Sequence, residues 1–190
     1  QVLVSSTGVI GEKLNANKII KVFPTILKSK TKNLLSASKA IMTTDTYPKI
    51  IVKKIKINSK IIKIFGFAKG SGMIFPNMGT MLSYIFIEAN LSKGILKKIL
   101  HSNLDSSFNS ISVDGDTSTS DTLMLFSLSD RDQKKIKSLN IINKISLGLK
   151  EVMSDLALQI ISDGEGISKL IEVQVSGAKT YKQATEVSFS

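Results

Sequence analysis

Two β-branched runs, residues 51–57 and 61–67, separated only by Asn58-Ser59-Lys60, constrain this chain more than any other stretch. Such runs joined by a short polar break read as a hairpin. Its second strand leads through Phe67 and Ala68 into Lys69 and the glycine-rich turn Gly70-Ser71-Gly72, whose small residues leave room for a ligand beside the lysine. Further apolar runs at residues 81–87, 123–128 and 170–175 read as strands, the second of them buried, with a shorter one at residues 1–5. Helical periodicity marks residues 12–23 and 32–42, with Pro24 separating them or opening the next helical turn. Ser92 can cap a helix that carries Ile95, Leu96, Ile99 and Leu100 on one side. Asp130 begins a lysine-rich connector with one short helix. Leu149, Val152, Met153, Leu156 and Ile160 form the stripe of a longer helix ending at Asp163-Gly164-Glu165-Gly166. Another helix begins at Lys179. The pattern predicts an α/β protein with mixed sheets faced by helices.

At 190 residues one domain is expected, able to bury roughly 70% of its unfolded surface. No apolar run reaches the roughly 18 residues of a membrane span, so a soluble, cytoplasmic protein without a membrane partner is expected. A net charge of +11 raises nucleic-acid binding as a function. Yet Arg131 is the only arginine, and aromatics make up only 6%. The lysines are dispersed among isoleucine and asparagine, which reads as a solvated face. With no cysteine, thiolate catalysis, thiolate metal sites and disulfides are excluded. His101 is the sole histidine and reads as a surface residue beside a lysine-rich helix. The carboxylates of residues 114–121 lack the spacing of an EF-hand. They read as side chains that bond backbone amides and stiffen a loop. Gly70-Ser71-Gly72 lacks the Gly-Lys-Ser/Thr ending of a phosphate loop.

The Gly79-Thr80 pair has a chemical reading. Glycine leaves room for a bent backbone, so the Thr80 hydroxyl could attack the carbonyl before it. Cleavage there would give Thr80 a free α-amine, an activator of threonine nucleophiles. A reference pKa near 8 leaves roughly a tenth of that amine unprotonated at neutral pH. An isolated Gly-Thr pair equally well opens a strand.

The wider wording weighs on that choice. Residues 69–82, Lys-Gly-Ser-Gly-Met-Ile-Phe-Pro-Asn-Met-Gly-Thr-Met-Leu, resemble the self-cleavage region of the ornithine acetyltransferase (glutamate N-acetyltransferase) family. Blocks at residues 6–11, 40–49, 107–122 and 163–166 extend the resemblance in order along essentially the whole chain. It implies the layered αββα sandwich shared with self-processing aminopeptidases. It also implies cleavage between Gly79 and Thr80, with Thr80 as nucleophile and Thr7 and Gly8 as the oxyanion hole. Thr43, Lys69, Thr80 and Glu165 would contact substrate, with Thr44 and Asp45 supporting the Thr43 loop. Glu165 suits the δ-ammonium of ornithine, and Lys69 suits an amino-acid carboxylate.

The implied reaction moves an acetyl group from N-acetylornithine to glutamate in arginine biosynthesis. No metal or cofactor is implied beyond acetyl-CoA as a co-substrate in some members. Residues 1–190 would be one partial catalytic unit, with 1–79 ending an α-chain and 80–190 beginning a β-chain. These would form an αβ heterodimer that assembles into a heterotetramer. The opening at Gln1 reads as an internal piece of a longer protein. Gly79 stands where the family commonly has alanine, and Ser5 and Ser120 also depart from the usual residues. Two alternatives remain at this point: a self-cleaving aminopeptidase, which normally uses serine, and a non-enzymatic basic binding module.

Overall fold

The computed structural model describes residues 3–29, 33–75, 81–130 and 132–190. Its frame is a four-stranded sheet of β1 (Lys49–Ile57), β2 (Lys60–Lys69), β3 (Leu82–Ile87) and β4 (Thr122–Ser127), in that spatial order. β1 and β2 form the expected hairpin, longer at both ends than the apolar runs, with Ile57 opposite Lys60. Asn58 takes the left-handed conformation (φ 55°) that a tight reversal requires. β2 and β3 are antiparallel, and β3 and β4 are parallel. A parallel pair needs a crossover. The intervening chain supplies α3 (Lys93–Leu104), whose first turn is capped by Ser92 Oγ accepting from Ile95 N–H at 3.4 Å.

Strand parity sorts the side chains between two unlike faces. Ile55, Ile62, Ile64, Ile85, Ile87 and Leu125 share one face, which α4 (Leu139–Ile161) covers. Ile145, Leu149, Val152, Met153, Leu156 and Ile160 of α4 are fully buried against it. Burying one such side chain contributes about 1.5–3 kcal/mol, so this stripe is the main cohesive element of the core. The opposite face is aromatic. Phe65 stacks on Phe86 at 5.3 Å, Phe86 on Phe126 at 5.1 Å, and Phe67 lies 5.1 Å from Tyr84. Of this strip Phe67 is buried, whereas Phe65, Tyr84, Phe86 and Phe126 are only half-buried. Among the described residues, segment 3–9 reaches this face, through a hydrogen bond between Ser5 Oγ and the Tyr84 hydroxyl.

Several expectations need correction. α1 (Ala16–Lys28) runs through Pro24 instead of ending there. None of its residues is buried, so packing does not set its limits; Asn15 caps its start by accepting from Lys18 N–H. α2 (Leu34–Ala40) is shorter than the periodicity suggested. The described part of the connector after β4 holds no helix before Leu139. β4 is half-buried along its length rather than buried, because it lies at the sheet edge. Residues 3–5 and 170–175 form no strand, and Ile171 is 77% exposed, since neither segment meets a described strand edge that could complete a ladder. α5 (Tyr181–Ser188) follows as expected.

Gly66 permits the closest approach within the sheet. A Cβ there would lie 2.8 Å from the Tyr84 carbonyl oxygen and 3.1 Å from Ile85 Cγ1. The first of these is backbone and cannot rotate away. In the full-length protein Gly66→Ala is expected to lower unfolding free energy by about 1–3 kcal/mol, read from the denaturant midpoint at unchanged slope.

Candidate functional site

β2 carries Lys69 to the rim of the sheet on the same parity as Phe65 and Phe67, and only 3% of it is exposed. Its Nζ lies 3.4 Å from Thr7 Oγ1 and 3.4 Å from Thr43 Oγ1. Thr7 is half-buried and Thr43 exposed, so the ammonium sits beneath two hydroxyls with solvent beyond them. Burial pushes the Lys69 ammonium below its ordinary lysine value, and the negative field of Asp45, Asp121 and Glu165 only partly restores it.

Behind this group lies a buried charge array. Lys49 belongs to the core-facing parity of β1, and its Nζ meets Asp45 Oδ1 and Asp163 Oδ2 at 2.6 Å each. The Tyr47 ring centroid lies 4.9 Å from the same ammonium. Asp45 also accepts from Gly70 N–H at 2.8 Å and from Thr43 N–H at 3.1 Å. Asp163 follows the C-terminus of α4, where the helix dipole disfavours a negative charge. It accepts from Lys49, from Thr46 N–H at 2.8 Å and from the Thr46 hydroxyl. Burial alone would raise both carboxyls, but hydrogen bonds and the Lys49 charge outweigh it and hold them below their ordinary value.

Glu165 enters through Ser71. Glu165 N–H donates to Ser71 O at 2.7 Å, and Ser71 Oγ lies 3.5 Å from Glu165 Oε1 and 2.5 Å from Thr44 Oγ1. Gly72 makes the room for it: a Cβ at that position would stand 3.1 Å from the Glu165 carboxylate. The loop at residues 112–122 grips both shoulders of the glycine-rich segment. Asp114 accepts from Met73 N–H at 2.5 Å and Ile74 N–H at 3.1 Å, while Asp121 accepts from Met81 N–H at 3.2 Å. These carboxylates bond backbone amides, as their spacing suggested. Burial raises the Asp121 carboxyl, only partly offset by Met81 N–H, Ser118 and the Lys69 charge.

Thr7, Thr43 and Lys69 therefore converge, with Glu165 joined through Ser71 to Thr44, the neighbour of Thr43. Gly8 is exposed, with no atom of the described residues within 4 Å of where its Cβ would be. Gly79 and Thr80 lie outside the described residues. His101 is exposed. Sequence reasoning assigned no role to Lys49, Asp163 or Ser71. A groove of about 500 Å³ between residues 109–113 and the tail at 167–189 contains none of these groups. Among the described residues, no three His, Asp or Glu side chains gather as a metal site would require, and no helix is long and apolar enough to cross a membrane.

Hydroxyls, an ammonium and a carboxylate, drawn from four separated segments to one rim of the sheet, define an α/β protein with a polar site suited to a small charged molecule. The ArgJ family model matches residues 1–190, and the chain belongs to that family. It is similar to the arginine biosynthesis bifunctional protein ArgJ of Gluconobacter oxydans, 42% identical over 98% of this chain and 45% of the relative. The protein of that name from Bartonella henselae is 43% identical over 100% of this chain and 47% of its own length. That of Rhizobium meliloti is 41% identical, with 100% and 48% covered. The chain thus spans about half the length of the curated relatives it matches.

Because Asp45 and Asp163 are depressed in the folded state, their contribution is fully present above the ordinary carboxyl value of 3.8 and is lost as pH falls through the lower folded values. Thermal unfolding of the full-length protein should therefore be nearly independent of these two groups above about pH 5 and fall steeply below about pH 4. In Asp45→Asn that acid limb should be shallower.

Proposed function

We propose that the protein carrying this chain is a self-processing acetyltransferase of arginine biosynthesis, moving the acetyl group of N-acetylornithine to glutamate. The observation that carries this reading is the convergence of Lys69 on Thr7 and Thr43, with Glu165 held nearby, in a chain of the ArgJ family. Cleavage between Gly79 and Thr80 frees the Thr80 α-amine. Thr80 Oγ then attacks the acetyl carbonyl while the amine accepts the hydroxyl proton. Thr7 and Gly8 hold the developing oxyanion, an interaction worth about 2.7–4 kcal/mol per donor. Ornithine departs with the proton, leaving an acetyl ester on Thr80. The amine of glutamate attacks that ester, N-acetylglutamate leaves, and the threonine hydroxyl is restored. Ping-pong kinetics follow from the covalent intermediate.

Charge assigns the ends of the substrate. Lys69 takes a carboxylate, Glu165 takes the δ-ammonium, and Thr43 donates or accepts between them. The relatives' name includes the word bifunctional, which fits a second reaction using acetyl-CoA as donor. No metal or other cofactor takes part. The half-buried aromatic face supports the finer architecture, in which a second sheet packs there to complete an αββα sandwich. Segments ending at 79 and beginning at 80 stay intertwined as an αβ heterodimer, which pairs into a heterotetramer in the cytoplasm.

Thr80→Ala in the full-length protein should remain one polypeptide by intact mass and show no acetyl transfer. A wild-type protein that transfers acetyl groups as a single unbroken chain would sink this mechanism. A second outcome concerns Lys69, whose lowered pKa means that its charge is lost at a lower pH than the 10.5 of an ordinary lysine. KM for N-acetylornithine should rise on the alkaline side before that value is reached. In Lys69→Arg, which stays charged, this rise should be absent from the pH profile.

A further inference from the structure

The three segments that carry Thr43, Lys69 and Glu165 are distant in sequence, and among the described residues no strand ladder joins the first to the third. One array of charge touches all of them. Asp45 lies two residues after Thr43 and binds its N–H. The same carboxylate binds Gly70 N–H, adjacent to Lys69. Asp163 lies two residues before Glu165, and Lys49 joins it to Asp45 through two contacts of 2.6 Å. Gln159, one turn earlier on α4, fastens the same corner by bonding both Ile50 N–H and Ile50 O.

We infer that the buried Asp45–Lys49–Asp163 array is a positioning device that fixes the spacing of Thr43, Lys69 and Glu165, and so governs substrate affinity. The assignment of those three residues to substrate rests on the function proposed above. The argument is one of direction. Well-packed apolar side chains at these positions would give similar or greater stability, but they slide. Charge-assisted hydrogen bonds hold distance and angle together, and misplacing contacts made equally in the ground and transition states raises KM while leaving kcat nearly unchanged. Asp45, Lys49 and Asp163 make no contact with Thr7, whose link to the array runs through the long Lys69 side chain at 3.4 Å, so the array bears on the substrate rim more than on chain cleavage.

Asp163→Ala separates these roles. It leaves Lys49 and Asp45 as a balanced pair, so the variant should fold. Asp163→Asn is the conservative control, because its oxygen can accept from Lys49 and Thr46 N–H while its amide donates to the Thr46 hydroxyl. In the full-length protein, Asp163→Ala should raise KM for N-acetylornithine at least tenfold and change kcat less than threefold. Cleavage before Thr80 should slow less than threefold. Asp163→Asn should restore KM. Hydrogen exchange supplies a readout that needs no reaction: the amides of Thr46, Gly70 and Glu165 should exchange at least tenfold faster in Asp163→Ala, while the α4 core keeps its protection. Unchanged exchange at those amides, or wild-type KM in the cleaved variant, would overturn the inference, as would parallel losses of KM and of processing. If wild-type protein neither cleaves nor transfers, the proposed function fails, and the exchange experiment still decides whether the array positions the three segments.

Discussion

An ammonium group without access to water must find negative charge and hydrogen-bond acceptors within the fold, or lose its proton. Lys49 meets that demand with two carboxylates, and the consequence reaches well beyond the pair. Both carboxylates arrive from outside β1, one from the loop before it and one from the end of α4. Each then uses its remaining lone pairs on backbone amides of Thr43, Gly70 and Thr46. The hydrophobic stripe of α4 brings helix and sheet together, but it permits sliding along the helix axis. The charge array sets where that sliding stops.

This array was legible in principle from strand parity. The alternation that places Ile51, Ile55 and Ile57 on the covered face of β1 places Lys49 there too. A lysine on a core parity requires a partner, and Asp45 stands four residues before it. Asp163 was not legible, because it comes from 114 residues away and only the packing of α4 brings it close. The hairpin, α3, α4 and α5 were readable because local periodicity and capping agree with the tertiary packing. α1 was misjudged for the opposite reason, since its limits depend on no buried contact. Residues 170–175 alternate as a strand should, yet alternation identifies a chain that could join a ladder and does not supply the neighbouring edge.

The candidate site was legible to a different degree. Thr7, Thr43, Lys69 and Glu165 were singled out by resemblance, and Thr7 and Thr43 do meet Lys69. The glycine-rich turn was read as room for a ligand, and at Gly72 that room is occupied by the Glu165 carboxylate. Small residues on both sides of a lysine therefore indicated close approach correctly, though not which group approaches. Ser71 went unremarked because a serine between glycines looks like ordinary turn chemistry. Its burial, with Thr44 and Glu165 on either side, comes from the fold alone.

Two lysines on neighbouring strands thus have opposite fates, and parity is the reason. Lys49 faces α4, is neutralised by two carboxylates at contact distance, and has no route to solvent. Lys69 emerges on the aromatic face, where hydroxyls rather than carboxylates receive it. An ammonium already saturated by carboxylates has little left to offer a ligand, whereas one held by two neutral oxygens retains most of its field. The negative groups around Lys69 act from behind their own hydrogen bonds: Asp45 is committed to Lys49 and Gly70, and Asp121 to Met81. Lys69 is therefore partly desolvated but not discharged by a direct ion pair, the condition in which an incoming carboxylate gains most from meeting it.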